Sequence, residues 1–129
     1  MGHDREPARF DMPNVVAAVE AMTQGEIDAL PFGAVRLDAS GTVTSYSATE
    51  RQESRSGDRA RVGRNFFTEV APCLDTPGFR GRVDAAHARG HLDIEFNYVY
   101  DFPEGEREVT VRVLPASDGG YWMFSRWET

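Results

Sequence analysis

Apolar positions first recur at helical spacing. Val15, Val16, Val19 and Met22 follow Pro13 on one face, which predicts a short amphipathic helix. Thr23 and Glu26 then stand three residues apart, the spacing of a capping box, and predict a second short helix ending near Leu30. Neither is long enough to stand alone, so both are expected to dock on the rest of the chain. From Phe32 the period changes to two. Phe32 to Leu37 and Thr42 to Tyr46 alternate around the turn residues Asp38-Ala39-Ser40-Gly41, the pattern of a hairpin. Residues 48–70 are irregular, with short helical pieces. Thr76 as cap, Pro77 at the first position and Gly90 as stop predict a longer helix. Three strands follow, Leu92 to Asp101, Arg107 to Pro115 and Tyr121 to Trp127, with turns at Phe102-Pro103-Glu104-Gly105 and Ser117-Asp118-Gly119-Gly120.

Two strands, several short helices, one longer helix and three more strands give an α+β domain. Its expected centre is a five-stranded antiparallel sheet with flanking helices. Residues 1–30 are read as an N-terminal helical cap over the open sheet face, and residues 31–129 as the core domain. A chain of 129 residues supports one core. At 40% hydrophobic and 27% charged it reads as globular. No apolar run could span a bilayer, and the first residues, MGHDREPARF, lack the apolar stretch of a secretory signal. The expectation is a cytoplasmic protein without membrane contact. A net charge of −7 argues against nucleic-acid binding, which needs a basic face. All 14 basic residues are arginine, so no lysine is available for a Schiff base to retinal or pyridoxal phosphate. The oligomeric expectation is a monomer or weak dimer.

One cysteine, Cys73, lies in the stretch NFFTEVAPCLD. A lone cysteine is most often a small packing residue, and on chemistry alone that reading outranks a functional one. Its setting leans the other way, since Pro72 fixes the backbone beside it in a loop between helical pieces. A cysteine hydrolase needs a base beside the thiol. His3 falls in a polar tail, and Gly90 separates His87 from His91. Two surface histidines are the plainer reading, because that spacing without a third ligand means little for a metal. No phosphate loop or serine elbow is present. Tyr46 ends a strand and Glu50 follows four residues later. Exposure is the ordinary fate of both. Together they could also donate hydrogen bonds to one buried anion, provided burial keeps Glu50 protonated.

Three stretches, FGAVRLDASGTVTSYSATE, VGRNFFTEVAPCLDTPGF and YWMF, closely resemble the photoactive yellow protein family. Its members are blue-light receptors of the PAS superfamily, and the resemblance covers about Leu30 to Arg126. It implies a PAS-like fold and a p-coumaric acid (4-hydroxycinnamic acid) chromophore held by Cys73 as a thioester. It implies that Tyr46 and Glu50 bond the chromophore's phenolate oxygen, with Ser54 in place of a threonine that supports the tyrosine. The family's shielding arginine falls at Ser56 in strict register, with Arg55 one position away. Phe66, Val70, Ala71 and Pro72 match wall positions. Tyr100-Asp101-Phe102 swaps the family's two aromatics. A pocket methionine that speeds recovery falls near Glu104 and Gly105, which implies a slow return to the dark state. The resemblance further implies light-driven trans-cis isomerisation, proton transfer from Glu50, partial unfolding that begins with residues 1–30, and an unnamed downstream signalling protein. Flavin-binding PAS receptors place their cysteine directly after GRN, where this chain has Phe66. A PAS domain that only binds a metabolite or dimerises is the remaining alternative.

Overall fold

The computed structural model describes residues 8–53, 61–90, 92–102 and 104–127. Its helices are α1 (Val15–Glu20), α2 (Gln24–Asp28), α3 (Ala48–Glu53) and α4 (Arg80–Ala88). Its strands are β1 (Gly33–Leu37), β2 (Val43–Tyr46), β3 (Ile94–Phe102), β4 (Gly105–Pro115) and β5 (Tyr121–Trp127). The strands form one sheet in the order β2-β1-β5-β4-β3, and every neighbouring pair is antiparallel. The expected α+β, PAS-like sheet with flanking helices is therefore what the chain forms.

Both faces of the sheet are covered, and β5 shows how. Tyr121 and Met123 enter one core with Val35, Val109, Val111, Phe66 and Phe79. Trp122 and Phe124 enter a second core with Val15, Val19, Ile27 and Leu30. Successive strand residues point to opposite faces, so a strand buried on both sides carries apolar residues without alternation. β3, at the sheet edge, keeps the alternation: Phe96 is buried while Asn97 and Val99 are exposed.

Residues 8–30 lie on the second face. The capping box is formed, with Glu26 N–H donating to Thr23 Oγ1 at 3.2 Å and Thr23 N–H to Glu26 Oε1 at 2.9 Å. Glu20 ties α1 to the sheet by accepting from Trp122 Nε1 at 2.9 Å and from the Ser117 N–H at 3.1 Å. Arg112 Nη1 donates to the carbonyls of Phe10 and Met12 at 2.7 and 3.0 Å.

The β1–β2 turn closes around Asp38, whose Oδ1 accepts from the N–H groups of Ser40 and Thr42 at 2.9 and 3.0 Å. Gly41 there has φ +90°, a conformation glycine adopts without steric cost. The longer helix differs from expectation. It starts at Arg80, not at Pro77. Thr76 Oγ1 accepts from the Phe79 N–H at 3.2 Å and caps a turn that precedes the helix. Pro77-Gly78 favours such a turn, and burial of Phe79 against Phe67 and Phe96 sets where the helix begins. Gly90 (φ +73°) ends it as expected. β3 starts two residues later than expected, and β4 two residues earlier.

Candidate functional site

Between the first sheet face and the segments over it lies an apolar cavity of about 200 Å³. Clefts for drug-sized ligands begin near ~300 Å³, so this one suits a single-ring ligand. Val35, Val109, Val111 and Met123 form its floor, and Phe66 and Phe79 close over it. Cys73, Tyr46, Glu50, Pro72 and Tyr100, all singled out from sequence, line it together. Ser54 and Arg55, with the shielding position at Ser56, lie outside the described residues, as do the side chains of Asp101 and Phe102.

Local chemistry positions each group. Ser47 is fully buried. Its Oγ accepts from the Glu50 N–H at 3.1 Å and from the Ala34 N–H at 3.0 Å. That bond caps α3 and fixes it to β1. Thr49 Oγ1 donates to the Leu30 carbonyl at 2.5 Å. Glu50, one residue on, thus points back under the sheet. Across the cavity Asn65 Oδ1 accepts from the N–H groups of Phe67 and Thr68, both at 3.1 Å. It caps a π-helical turn, Phe66–Val70, that aims Phe66 inward. Pro72 then opens a 3₁₀ turn, Pro72–Leu74, at its first position. This holds Cys73 exposed but facing the cavity. Its Sγ lies 3.3 Å from the Tyr100 hydroxyl.

Glu50 Oε1 accepts from Ser125 Oγ and from Trp127 Nε1, the latter at 3.4 Å. Burial pushes the carboxyl pKa up to about 7, and nearby Glu53 adds to the rise. The bonds from Ser125 and Trp127 and the charge of Arg61 act in the opposite direction. Tyr100 is raised far above its ordinary value, first by burial and then by its bond to Cys73, so it remains a neutral hydrogen-bonding phenol. A carboxyl with a raised pKa, two tyrosines and one thiol therefore share an apolar cavity.

Comparison with known proteins fits this geometry. No family model matches the chain. It is 36% identical over 120 residues to the photoactive yellow protein of Rhodothalassium salexigens, covering 92% of this chain and 96% of that one. The chain belongs to the photoactive yellow protein family. The photoactive yellow protein of Halochromatium salexigens is 34% identical over 116 residues, covering 89% and 93% of the two chains. Among solved structures, the photoactive yellow protein domain of the sensor histidine kinase Ppr from Rhodospirillum centenum superimposes with TM-score 0.76 at 40% identity, covering 85% of this chain and 97% of that one. The PAS domain of an HTR-like protein from Haloarcula marismortui, at TM-score 0.53 and 16% identity, shares the fold. The chain is a photoreceptor of the photoactive yellow protein type.

Within that family frame the cavity adds residues that sequence reading missed. Ser125 and Trp127 reach Glu50 from β5. Met123 brings a methionine to the cavity floor, whereas Glu104 and Gly105 are exposed and do not line it. Arg61 is buried, with its guanidinium 4.9 Å from the centre of the Tyr46 ring. The strand period was the available signal, since Met123, Ser125 and Trp127 follow Tyr121 at steps of two. Nothing in the sequence marked Arg61. His87 lines a separate hollow beside Tyr121, and among the described residues no histidine lines the cavity of Cys73. No helix among the described residues is long and apolar enough to cross a membrane.

Proposed function

We propose that the cavity holds a p-coumaroyl group as a thioester on Cys73, and that the chain is a cytoplasmic blue-light receptor signalling to a protein partner. The observation that carries this reading is the one cavity shared by the thiol, Tyr46 and a carboxyl whose pKa is raised to about 7. When bound, such a group supplies visible absorption and a double bond that light isomerises from trans to cis.

The residues fit that group. The Cys73 thiol is accessible for acylation. Phe66, Pro72 and the valines of β1 and β4 exclude water from an aromatic ring. A buried anion needs hydrogen bonds, and Tyr46 with protonated Glu50 supplies charge-assisted donors. The Cys73 backbone N–H belongs to the attachment residue itself, and the Tyr100 hydroxyl lies within hydrogen-bond reach of the sulfur. In the dark Glu50 holds its proton. After illumination it gives the proton up, and a carboxylate is left in a buried site. Leaving a buried charge without its partner typically costs up to about 3–5 kcal/mol, a large fraction of a small domain's stability, and the bonds from Ser125 and Trp127 offset only part of it. Docked peripheral elements release first under such a load, here residues 8–30. One solved relative is a domain of a sensor histidine kinase, which supports a signalling protein as the partner of this chain. A monomer or weak dimer satisfies the reading.

Reconstitution with activated p-coumaric acid tests it. Wild type turns yellow and bleaches under a blue flash. Cys73→Ala folds, stays colourless and shows no added coumaroyl mass. Glu50→Gln absorbs at longer wavelength, because an amide donates less strongly than an acid, and its infrared difference spectrum lacks the loss of a protonated carboxyl. A wild-type protein that takes up the pigment's mass on Cys73 but shows no light-induced change is instead a PAS domain without photoactivity.

A further inference from the structure

Among the described residues, two hydrogen bonds to the Glu50 carboxyl fall on one oxygen. Ser125 Oγ and Trp127 Nε1 converge on Oε1. An indole N–H can only donate, so Oε1 is the acceptor. In the neutral acid the oxygen that accepts two donors is the carbonyl oxygen, and the proton resides on Oε2. The fold is built around this pair. Ser125 pairs with Gly33 across β1 and β5. A Cβ at position 33 would collide with both Glu50 Oε1 and Ser125 Oγ, so glycine leaves the room they occupy. A serine here is otherwise unexpected, because Met123 before it and Val111 opposite it are apolar cavity residues.

We propose that Ser125 and Trp127 are positioning residues for the proton of Glu50. They fix which carboxyl oxygen carries it, and they remain as ready donors to the carboxylate once it has left. The second role rests on the photoreceptor reading above; the first does not. Other charged and titratable groups around the carboxyl are Glu53 on α3, Arg61, Tyr46 on β2 and Tyr100 on β3. Arg107 of β4 lies over the Trp127 ring at 5.2 Å and pairs with Glu53 at 2.8 Å. Ser125→Ala and Trp127→Phe leave all of these in place, so each variant removes one of the two bonds to Oε1.

The test uses the full chain before any pigment is attached. Carboxyl carbons are labelled, and Glu50 is titrated by NMR in wild type, Ser125→Ala, Trp127→Phe and Ser125→Thr, with the Glu50→Gln spectrum assigning the resonance. Donors to an anion favour its charged form. Loss of either donor therefore raises the proton affinity of Glu50, by roughly tenfold for a bond to a charged group. The carbonyl stretch of the protonated acid moves to higher frequency in both deletions, because a carbonyl relieved of a hydrogen bond stiffens. Ser125→Thr, which keeps the hydroxyl, restores both readouts. Circular dichroism confirms that each variant is folded; should Trp127→Phe not fold, Ser125→Ala alone decides. A folded Ser125→Ala with unchanged titration and unchanged carbonyl frequency overturns the proposal. Because these readouts need no pigment, they stand even if reconstitution fails. In reconstituted protein the same variants return the proton to Glu50 sooner and shorten the life of the bleached state. An unchanged lifetime there overturns the second role alone.

Discussion

Tyr100 and Arg61 are the residues at which the cavity departs most from what its motifs imply. The Tyr100 hydroxyl lies 3.3 Å from Cys73 Sγ, and its ring packs 5.2 Å from that of Trp127. It thus connects the attachment point to the group that bonds Glu50. Tyr100→Phe removes one neutral hydrogen bond and keeps the ring, so stability should change by no more than about 1 kcal/mol. The reactivity of the thiol should change more visibly. The hydroxyl holds the sulfur toward the cavity, so the variant, which frees the sulfur to turn outward, should react faster with a thiol reagent. Equal rates would mean that the contact does not govern Cys73. Arg61 lies over the Tyr46 ring inside the core, and on the proposed reading the pigment's phenol bonds Tyr46, where a nearby cation would favour its charged form. Arg61→Gln should therefore raise the pKa of the bound phenol in reconstituted protein. Acid bleaching, followed by absorbance against pH, should move to higher pH.

At the scale of elements, the sheet and the two N-terminal helices were legible because their signals are local. The capping box of Thr23 and Glu26 and the stop at Gly90 need no tertiary contact to be recognised. The start of α4 was not legible, because burial of Phe79 among rings from distant segments outweighs the cap and proline at Thr76-Pro77. The site divides the same way. Cys73, Tyr46, Glu50, Phe66 and Pro72 stand in distinctive stretches. Ser125 and Trp127 acquire meaning only when β5 is laid between β1 and β4. Docking of residues 8–30 is likewise tertiary, and it is testable. Arg112 holds the carbonyls of Phe10 and Met12 from β4, and Arg126 covers the Phe10 ring at 4.8 Å. Arg112→Ala should loosen this segment by about 1.5–3 kcal/mol, the usual worth of hydrogen bonds to a charged group. Hydrogen exchange should quicken at residues 8–22 while amides of β5 keep their protection. Uniform quickening along the chain would instead mean that the segment and sheet open as one unit.

For the whole molecule, the raised pKa of Glu50 dictates how stability depends on pH. In the unfolded chain its carboxyl has the ordinary value of 4.5, and in the folded chain about 7. Between these values the folded state binds a proton that the unfolded state has released. Stability therefore falls as pH rises through this window and levels off above it. A difference of this size corresponds to about 3 kcal/mol, a substantial part of the 5–15 kcal/mol typical of a small domain. Two other carboxyls act in the opposite sense. Burial opposes ionisation of Glu20, but hydrogen bonds from Ser117 and Trp122 and the charge of Arg36 outweigh it and lower its pKa. Hydrogen bonds from Ser40 and Thr42 lower that of Asp38. Their contributions are present above the ordinary carboxylate range and are lost as pH falls below it. The protein without pigment should thus be most stable near pH 5, and the charge of −7 at neutrality tilts the profile gently the same way, because its self-repulsion fades as pH falls. Urea unfolding between pH 5 and pH 8 should show wild type losing stability while Glu50→Gln, which has no proton to lose, stays nearly level. The difference between the two curves isolates Glu50 from every other group. Parallel curves would show that the Glu50 carboxyl titrates alike in both states, and the cavity would then have no proton held ready at neutral pH.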